Sequence, residues 1–317
     1  MEKTCFYEVP LYGHPEIAAT ILERLHAEGK APVAVVTQPA RQSGRGHKLT
    51  PSAVEQTAVR LHLPVWPTEN VNDARTFEAL KSKEPDLILV VAFGQLLKEP
   101  LLQLPPLGCL NIHASLLPKY RGAAPVQRAI WNGDAETGVS LQKMVKALDA
   151  GDVLLQKRTA IRPDETSGEL LQRLATLGAE AALEALALAE KGPMHFTPQA
   201  PDQVTVARKI LKEEAILSFQ DSAQRLHDQV RALQPWPIAE TLLNGKRLKV
   251  FKTKVLSQSK SVPPGTALTD GKSHLHVVCG DGKVLALTEI QLENRKRLGV
   301  EDFLRGYQTP ISTVGPF

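Results

Sequence analysis

The stretch "DLILVVAFG", residues 86–94, runs through seven apolar residues between an acid and a glycine. A strand with one wet face alternates apolar and polar side chains. A strand apolar throughout needs cover on both faces, as the central strands of a parallel sheet have. Outward from it, the first two hundred residues alternate strand-like and helix-like text. "APVAVVTQ" (31–38), "CLNIH" (109–113), "TGVSLQKMV" (137–145) and "DVLLQKRTAI" (152–161) read as strands. "PEIAATILERLHAEGK" (15–30) sets Ile17, Ile21, Leu22 and Leu25 on one helical face, with Gly29 near its end. "PSAVEQTAVRLHL" (51–63), "NDARTFEALKSKEPD" (72–86) and a long segment over 167–192 are helical too. "CFYEVPLYG" (5–13) is the expected first strand, although Pro10 removes a ladder donor and belongs at a strand end or edge. The alternation predicts an α/β, doubly wound, mostly parallel sheet.

After Gly192 the text changes. "GPMHFTPQAPDQ" (192–203) holds three prolines without periodicity and reads as a linker. One helix follows over 221–233, then short strands with turn signals, "GDG" at 280–282 marking a hairpin. The expectation is a domain over 1–191, a linker over 192–206, and a small OB-like β-barrel over 207–317.

The longest apolar run is far short of the roughly 20 residues a membrane span needs. The first ten residues, "MEKTCFYEVP", show no signal core, so a cytoplasmic or organellar-matrix protein is expected. Three scattered cysteines, Cys5, Cys109 and Cys279, spell neither a disulfide framework nor a metal cluster, and no metal is expected. The charge is uneven. Residues 204–317 carry 17 basic against 11 acidic side chains, a net of +6, whereas the rest of the chain is at −2. Such a basic third suits a polyanionic partner, or is an ordinary basic domain.

Ligands of open α/β sheets bind outside the carboxyl ends of the strands. "CLNIH" ends there, and Asn111 and His113, two apart, share a face with Cys109. A lone His at such a place is more often a packed core residue. A second segment, "KALDAGDVLLQ" (146–156), brings two carboxylates, Asp149 and Asp152, to a turn between strands. An amide can hold an oxyanion, an imidazole can carry a proton, and a carboxylate can fix the imidazole's tautomer and charge. The residues alone point to acyl- or proton-transfer chemistry. There is no G-x-S-x-G nucleophile turn and no P-loop; "SGRGHK" (43–48) lacks the spacing.

The segment over 110–156, with "LNIHASLLPKYRG" and "LDAGD", closely resembles the core of the folate-dependent formyltransferases. The resemblance implies a catalytic trio of Asn111, His113 and Asp149. It implies a folate site at Ser115, Leu116, Leu117 and Pro118, with Phe93, Gly94 and Leu96 of "AFGQLL" lining the pteridine pocket. Three further stretches are similar to the branch of the family that works on methionyl-tRNA. "TQPARQSGRGHKLTPS" (37–52) looks like its inserted basic loop, with Arg41, Arg45 and Lys48 facing tRNA. The loop has no apolar periodicity and is expected to be mobile until it meets tRNA. "ARKILKEEAILSF" (207–219) and "QPWPIAETLLNGKRLKVFKT" (234–253) look like the start of its C-terminal domain. There Lys246, Arg247, Lys249, Lys252 and Lys254, with Arg295, Lys296 and Arg297, are the expected phosphate contacts. One departure stands out. "YGHPEIA" puts His14 and Ile17 where the family usually has a threonine and an aromatic residue.

The implied reaction moves a formyl group from 10-formyltetrahydrofolate to the α-amino group of methionine on initiator tRNA. A monomer is expected, with no membrane partner. The competing readings are a nucleotide-amino-sugar N-formyltransferase, which shares the trio, and a non-catalytic RNA-binding protein. A glycinamide ribonucleotide formyltransferase would lack the last hundred residues. Asp152 is expected to serve the turn rather than the chemistry.

Overall fold

The computed structural model describes residues 4–8, 16–43, 48–91 and 95–315. The backbone packs as two compact units. One comprises Met1–Pro125, Glu136–Ala160 and Glu169–Arg208; the other comprises Val126–Ala135, Ile161–Gly168 and Lys209–Phe317.

The first unit is built on a sheet of β1 (Thr4–Glu8), β2 (Ala34–Thr37), β5 (Val65–Pro67), β6 (Leu87–Val91), β7 (Cys109–His113), β9 (Glu136–Lys143) and β10 (Val153–Ala160). Two short strands, β3 (Arg41–Ser43) and β4 (Lys48–Thr50), form a separate ribbon, and β8 (Arg121–Gly122) lies between β7 and β9 in the chain. The sheet order is β10-β9-β7-β6-β1-β2-β5. From β7 to β5 all neighbours are parallel; β9 and β10 extend the β7 edge in antiparallel fashion. The order reverses between β6 and β1, as in doubly wound sheets. All five residues of β6 are buried, as its two-faced apolar text requires. β1 pairs on both sides, Phe6 with Val35 and with Leu89, and stops at Glu8 before Pro10, which lies outside the described residues.

Helices α1 (Glu16–Ala27), α2 (Ala53–Arg60), α3 (Ala74–Lys81) and α6 (Ser167–Lys191) follow the predicted periodicities, the short α4 (Glu99–Leu102) and α5 (Pro125–Trp131) being added. Ser52 and Asp73 cap α2 and α3, each side chain accepting from a backbone N–H three residues on. Ala34, Val36, Ile88, Val90 and Cys109 pack with Val71, Leu80 and Leu101 into one apolar cluster. Burial there pushes the Cys109 thiol up to about 12, so it is a small hydrophobe and no nucleophile.

Segment 192–206 is more than a tether. Thr197 pairs with Val153, and β11 (Val206–Ala207) lies parallel to β8, with Val206 opposite Arg121. Proline-rich text without periodicity can still be an ordered strap when another strand edge takes its hydrogen bonds.

In the second unit, β12 (Ala239–Leu243), β13 (Lys246–Ser259), β14 (Ala267–Thr269), β15 (Leu275–Val278), β16 (Lys283–Leu292), β17 (Leu298–Gly299) and β18 (Val314–Gly315) form an antiparallel, nearly closed barrel. β14 and β18 end the sheet order, and a Thr266–Thr313 bridge draws those two ends together. Helix α7 (Ala223–Ala232), capped by Ser222, packs on the barrel; α8 (Val300–Arg305) follows β17.

Candidate active site

β7 delivers Asn111 and His113 to the carboxyl end of the parallel sheet. On their other side, β9 runs antiparallel, with Gln142 opposite Asn111 and Ser140 opposite His113. The loop from β9 to β10 returns Asp149 to this edge at φ +49°. Gly151 makes that return possible: a Cβ there would stand 1.7 Å from the Lys143 carbonyl oxygen. Asp152 is exposed, and its backbone carbonyl accepts from Lys143 N–H at 2.9 Å, closing the turn.

The three side chains meet at one carboxylate oxygen. Asn111 Nδ2 is 3.5 Å and His113 Nδ1 3.7 Å from Asp149 Oδ1. Gln142 Nε2 donates to the same oxygen at 3.0 Å, and the Gly122 N–H donates to Oδ2 at 2.8 Å. Gly122 sits at φ +117°, and a Cβ would press on the Ala207 carbonyl oxygen at 2.8 Å, so the close approach demands glycine. The His113 and Asp149 side chains are only 7% and 10% exposed, so these contacts act with little competition from water.

The expectation that the carboxylate fixes the imidazole tautomer needs correcting. His113 Nε2 lies 2.8 Å from the Tyr120 carbonyl oxygen, which can only accept; Nε2 therefore carries the hydrogen. In the neutral ring Nδ1 is then the bare nitrogen, and it faces Asp149 across 3.7 Å, too far for a direct hydrogen bond.

The turn after β7 is held from within. Its Leu117–Pro118 peptide is cis. Ser115 is fully buried, and its hydroxyl donates to the Lys119 carbonyl at 2.6 Å. Ser140 Oγ donates to the Ser115 carbonyl at 2.6 Å and accepts from Leu117 N–H at 2.9 Å. Ser115 therefore shapes the turn, while Leu116 and Pro118 are half-buried and Leu117 is buried. Phe93 and Gly94 lie outside the described residues. Leu96 is 66% exposed, its carbonyl accepting from Asn72 Nδ2 at 3.0 Å, so it is open to a ligand.

The flanks of the 40–50 loop pair as a ribbon, Arg41 opposite Thr50 and Ser43 opposite Lys48; Arg45 lies outside the described residues. On β13 the charges fall on one side because of a bulge. Leu248 and Val250 face the core; the register shifts between Val250 and Lys252, and Phe251 and Thr253 take over inward while Lys252 and Lys254 point out. Arg247 lies 3.6 Å from Glu240 and Lys252 3.7 Å from Glu289, and Arg297 both pairs with Glu289 and stacks 4.1 Å over the Phe251 ring. Lys246, Lys249 and Lys254 have no acidic partner among the described residues.

Two residues that the sequence did not single out join the site. Gln199, on the 192–206 strap, donates from Nε2 to the carbonyls of Asp149 at 2.8 Å and Gly151 at 2.7 Å. Gln142, on β9, is 2% exposed. No periodicity marks either amide. The one available signal was a polar side chain at a buried strand position, opposite Asn111. Among the described residues no group of three or more His, Cys, Asp or Glu is placed to hold a metal.

An amide, an imidazole and a carboxylate at the carboxyl end of a parallel sheet, with no activated nucleophile beside them among the described residues, suit transfer of a group between two substrates. The chain belongs to the formyl transferase family: residues 9–186 match the family itself and residues 209–308 its C-terminal domain. A methionyl-tRNA formyltransferase from Methylococcus capsulatus is 44% identical over 303 residues, covering 96% of this chain and 98% of that protein. In structure the chain resembles a methionyl-tRNA formyltransferase from Clostridium thermocellum, with TM-score 0.58, 16% identity, and 92% and 98% of the two chains covered. It also resembles HypX from Aquifex aeolicus, with TM-score 0.64 and 20% identity over 96% of this chain, but spans only 49% of that longer protein.

Proposed function

We propose that this chain transfers the formyl group of 10-formyltetrahydrofolate to the α-amino group of methionine on initiator methionyl-tRNA, the step that prepares the initiator for translation. Its near full-length similarity to methionyl-tRNA formyltransferases supports the substrates. The observation that carries the chemistry is the convergence of Asn111 and His113 on Asp149 Oδ1, at 3.5 and 3.7 Å.

An α-amine has a pKa of roughly 7.7–8.0, so a useful fraction is neutral near pH 7 and no strong base is needed to start. The amine nitrogen attacks the formyl carbon, and the carbonyl oxygen becomes an oxyanion. Asn111 Nδ2 donates to it. The extra proton leaves the incoming nitrogen, and one is delivered to N10 of tetrahydrofolate as the carbon–nitrogen bond to it breaks. His113 carries that proton at Nδ1, where Asp149 stabilises the charged ring. Ser115, Leu116, Leu117 and Pro118 present the turn on which the folate rests, and Phe93, Gly94 and Leu96 complete its pocket.

Residues 1–191 do the chemistry in this reading and 207–317 hold tRNA, with 192–206 between them. Lys246, Arg247 and Lys249 contact phosphates, and Arg41, Arg45 and Lys48 approach the acceptor end. The enzyme acts as a monomer in a bacterial cytoplasm or an organellar matrix.

The test is formyl transfer from 10-formyltetrahydrofolate to initiator methionyl-tRNA, set beside a nucleotide amino-sugar. Formyl-methionyl-tRNA is the expected product. Formylation of the sugar alone would make this a sugar enzyme, and no transfer to either would leave a binding protein.

A further inference from the structure

We infer that Gln142 is a positioning residue for the reaction, the last link of a one-way hydrogen-bond chain running from Arg121 through Gln199 to the Asp149 carboxylate. The inference rests on the proposed formyl transfer. A guanidinium has donors only. Arg121 Nε and Nη2 lie 3.1 and 2.8 Å from Gln199 Oε1, which fixes that amide's oxygen toward the arginine. Gln199 Nε2 must then face the other way, where it meets the carbonyls of Asp149 and Gly151 and, at 3.4 Å, Gln142 Oε1. The two hydrogens of Gln199 Nε2 serve the nearer carbonyls and Gln142 Oε1 shares one of them, so the carboxylate, as acceptor, is what turns Gln142 Nε2 to Asp149 Oδ1 at 3.0 Å. Both amides are thus oriented, Gln199 by a guanidinium that only donates and Gln142 by a carboxylate oxygen that accepts.

The consequence lies in what the carboxylate leaves free. Gln142 and the Gly122 N–H each take one oxygen of Asp149, at 3.0 and 2.8 Å, so the carboxyl group is held in place by neutral donors. Asn111, at 3.5 Å, is not needed to hold it and keeps its Nδ2 available for an oxyanion. His113 is the titratable side chain facing the carboxylate, and its charge on protonation finds Asp149 already oriented. Were Gln142 absent, Asn111 would be the nearest donor to Oδ1, and its bond to Asp149 would compete with the one it makes in the transition state.

Three variants of the full chain test this: Gln142→Leu, Gln142→Glu and Gln199→Glu. In Gln142→Leu the expected loss is about tenfold in kcat, with KM for 10-formyltetrahydrofolate within twofold. In Gln142→Glu the introduced carboxyl faces Asp149, and two carboxylates so close share a proton. Protonated, the new group donates as the amide did; ionised, it repels. Its kcat relative to wild type should therefore rise as pH falls from 8 to 6, while Gln142→Leu shows no such rise. Gln199→Glu should lower kcat in the same sense, through loss of the Nε2 donor. Thermal unfolding and folate binding of each variant separate a damaged fold from a misplaced carboxylate. Wild-type kcat and an unchanged pH profile in folded Gln142→Leu and Gln142→Glu would overturn the inference. A wild-type protein without formyl transfer would instead sink the proposed function on which it rests.

Discussion

Two aspartates, one in each unit, are buried in opposite ways. Asp228, on α7, is 3% exposed and gripped by a cation: Arg231 Nη2 and Nε lie 2.7 and 2.8 Å from its Oδ1, with Gln224 Nε2 at 3.1 Å. Arg231 also donates to the carbonyls of Arg162 and Glu165, so the pair ties the 161–168 segment into the second unit. Among the described residues no lysine or arginine pairs with Asp149. It is held by an amide and a backbone N–H, with an imidazole waiting at 3.7 Å. A buried carboxylate already neutralised by arginine has no charge left to offer. One held by neutral donors can answer a charge that develops beside it. The comparison separates a carboxylate that holds the fold from one free to serve the proposed reaction.

The sharpest break would come at the trio. His113→Ala should lower kcat on the order of 10²–10⁴, the usual worth of a positioned proton carrier. Asn111→Ala should lower it on the order of 10²–10³, as for one oxyanion donor. Folate binding should persist in both, and steady-state kinetics with isothermal titration reads the two apart. On the other side, Arg231→Ala leaves Asp228 buried without its cation. The expected cost is about 3–5 kcal/mol, seen in denaturant unfolding, with kcat per folded molecule unchanged.

The contrast was half visible in the sequence. β6 and β7 could be read because parallel strands covered on both faces leave continuous apolar text, and Asn111 and His113 stood out as polar residues ending such a run. The "LDAGD" turn showed its carboxylates and the glycine that its close approach to Lys143 demands. Gln142 and Gln199 could not be read. An amide carries no charge, and their meeting depends on a proline-rich strap lying across the β9–β10 loop, a tertiary event without a period. Similarly, "KVFKTK" on β13 breaks strict alternation. Only the bulge between Val250 and Lys252 shows why the lysines on both sides of it point outward.

A smaller effect concerns the barrel. Replacing Lys246, Arg247 and Lys249 together by Ala should flatten the salt dependence of tRNA binding, since each phosphate left without its cation takes close to one unit off the logarithmic slope. Filter binding across a salt series measures it, and kcat at saturating tRNA should hold. The smallest effect falls at the second carboxylate of the turn. Asp152 contributes its backbone carbonyl to Lys143, so Asp152→Ala should keep kcat within about threefold, the side chain being exposed.

The most direct measurement crosses the two aspartates. Asp149→Asn and Asp228→Asn are each assayed for formyl transfer to methionyl-tRNA and for thermal unfolding. If Asp149 is the working carboxylate, Asp149→Asn loses on the order of 10²–10⁴ in kcat with its Tm nearly kept. Asp228→Asn then loses Tm with kcat per folded molecule intact. Near wild-type turnover in a folded Asp149→Asn protein would contradict the account.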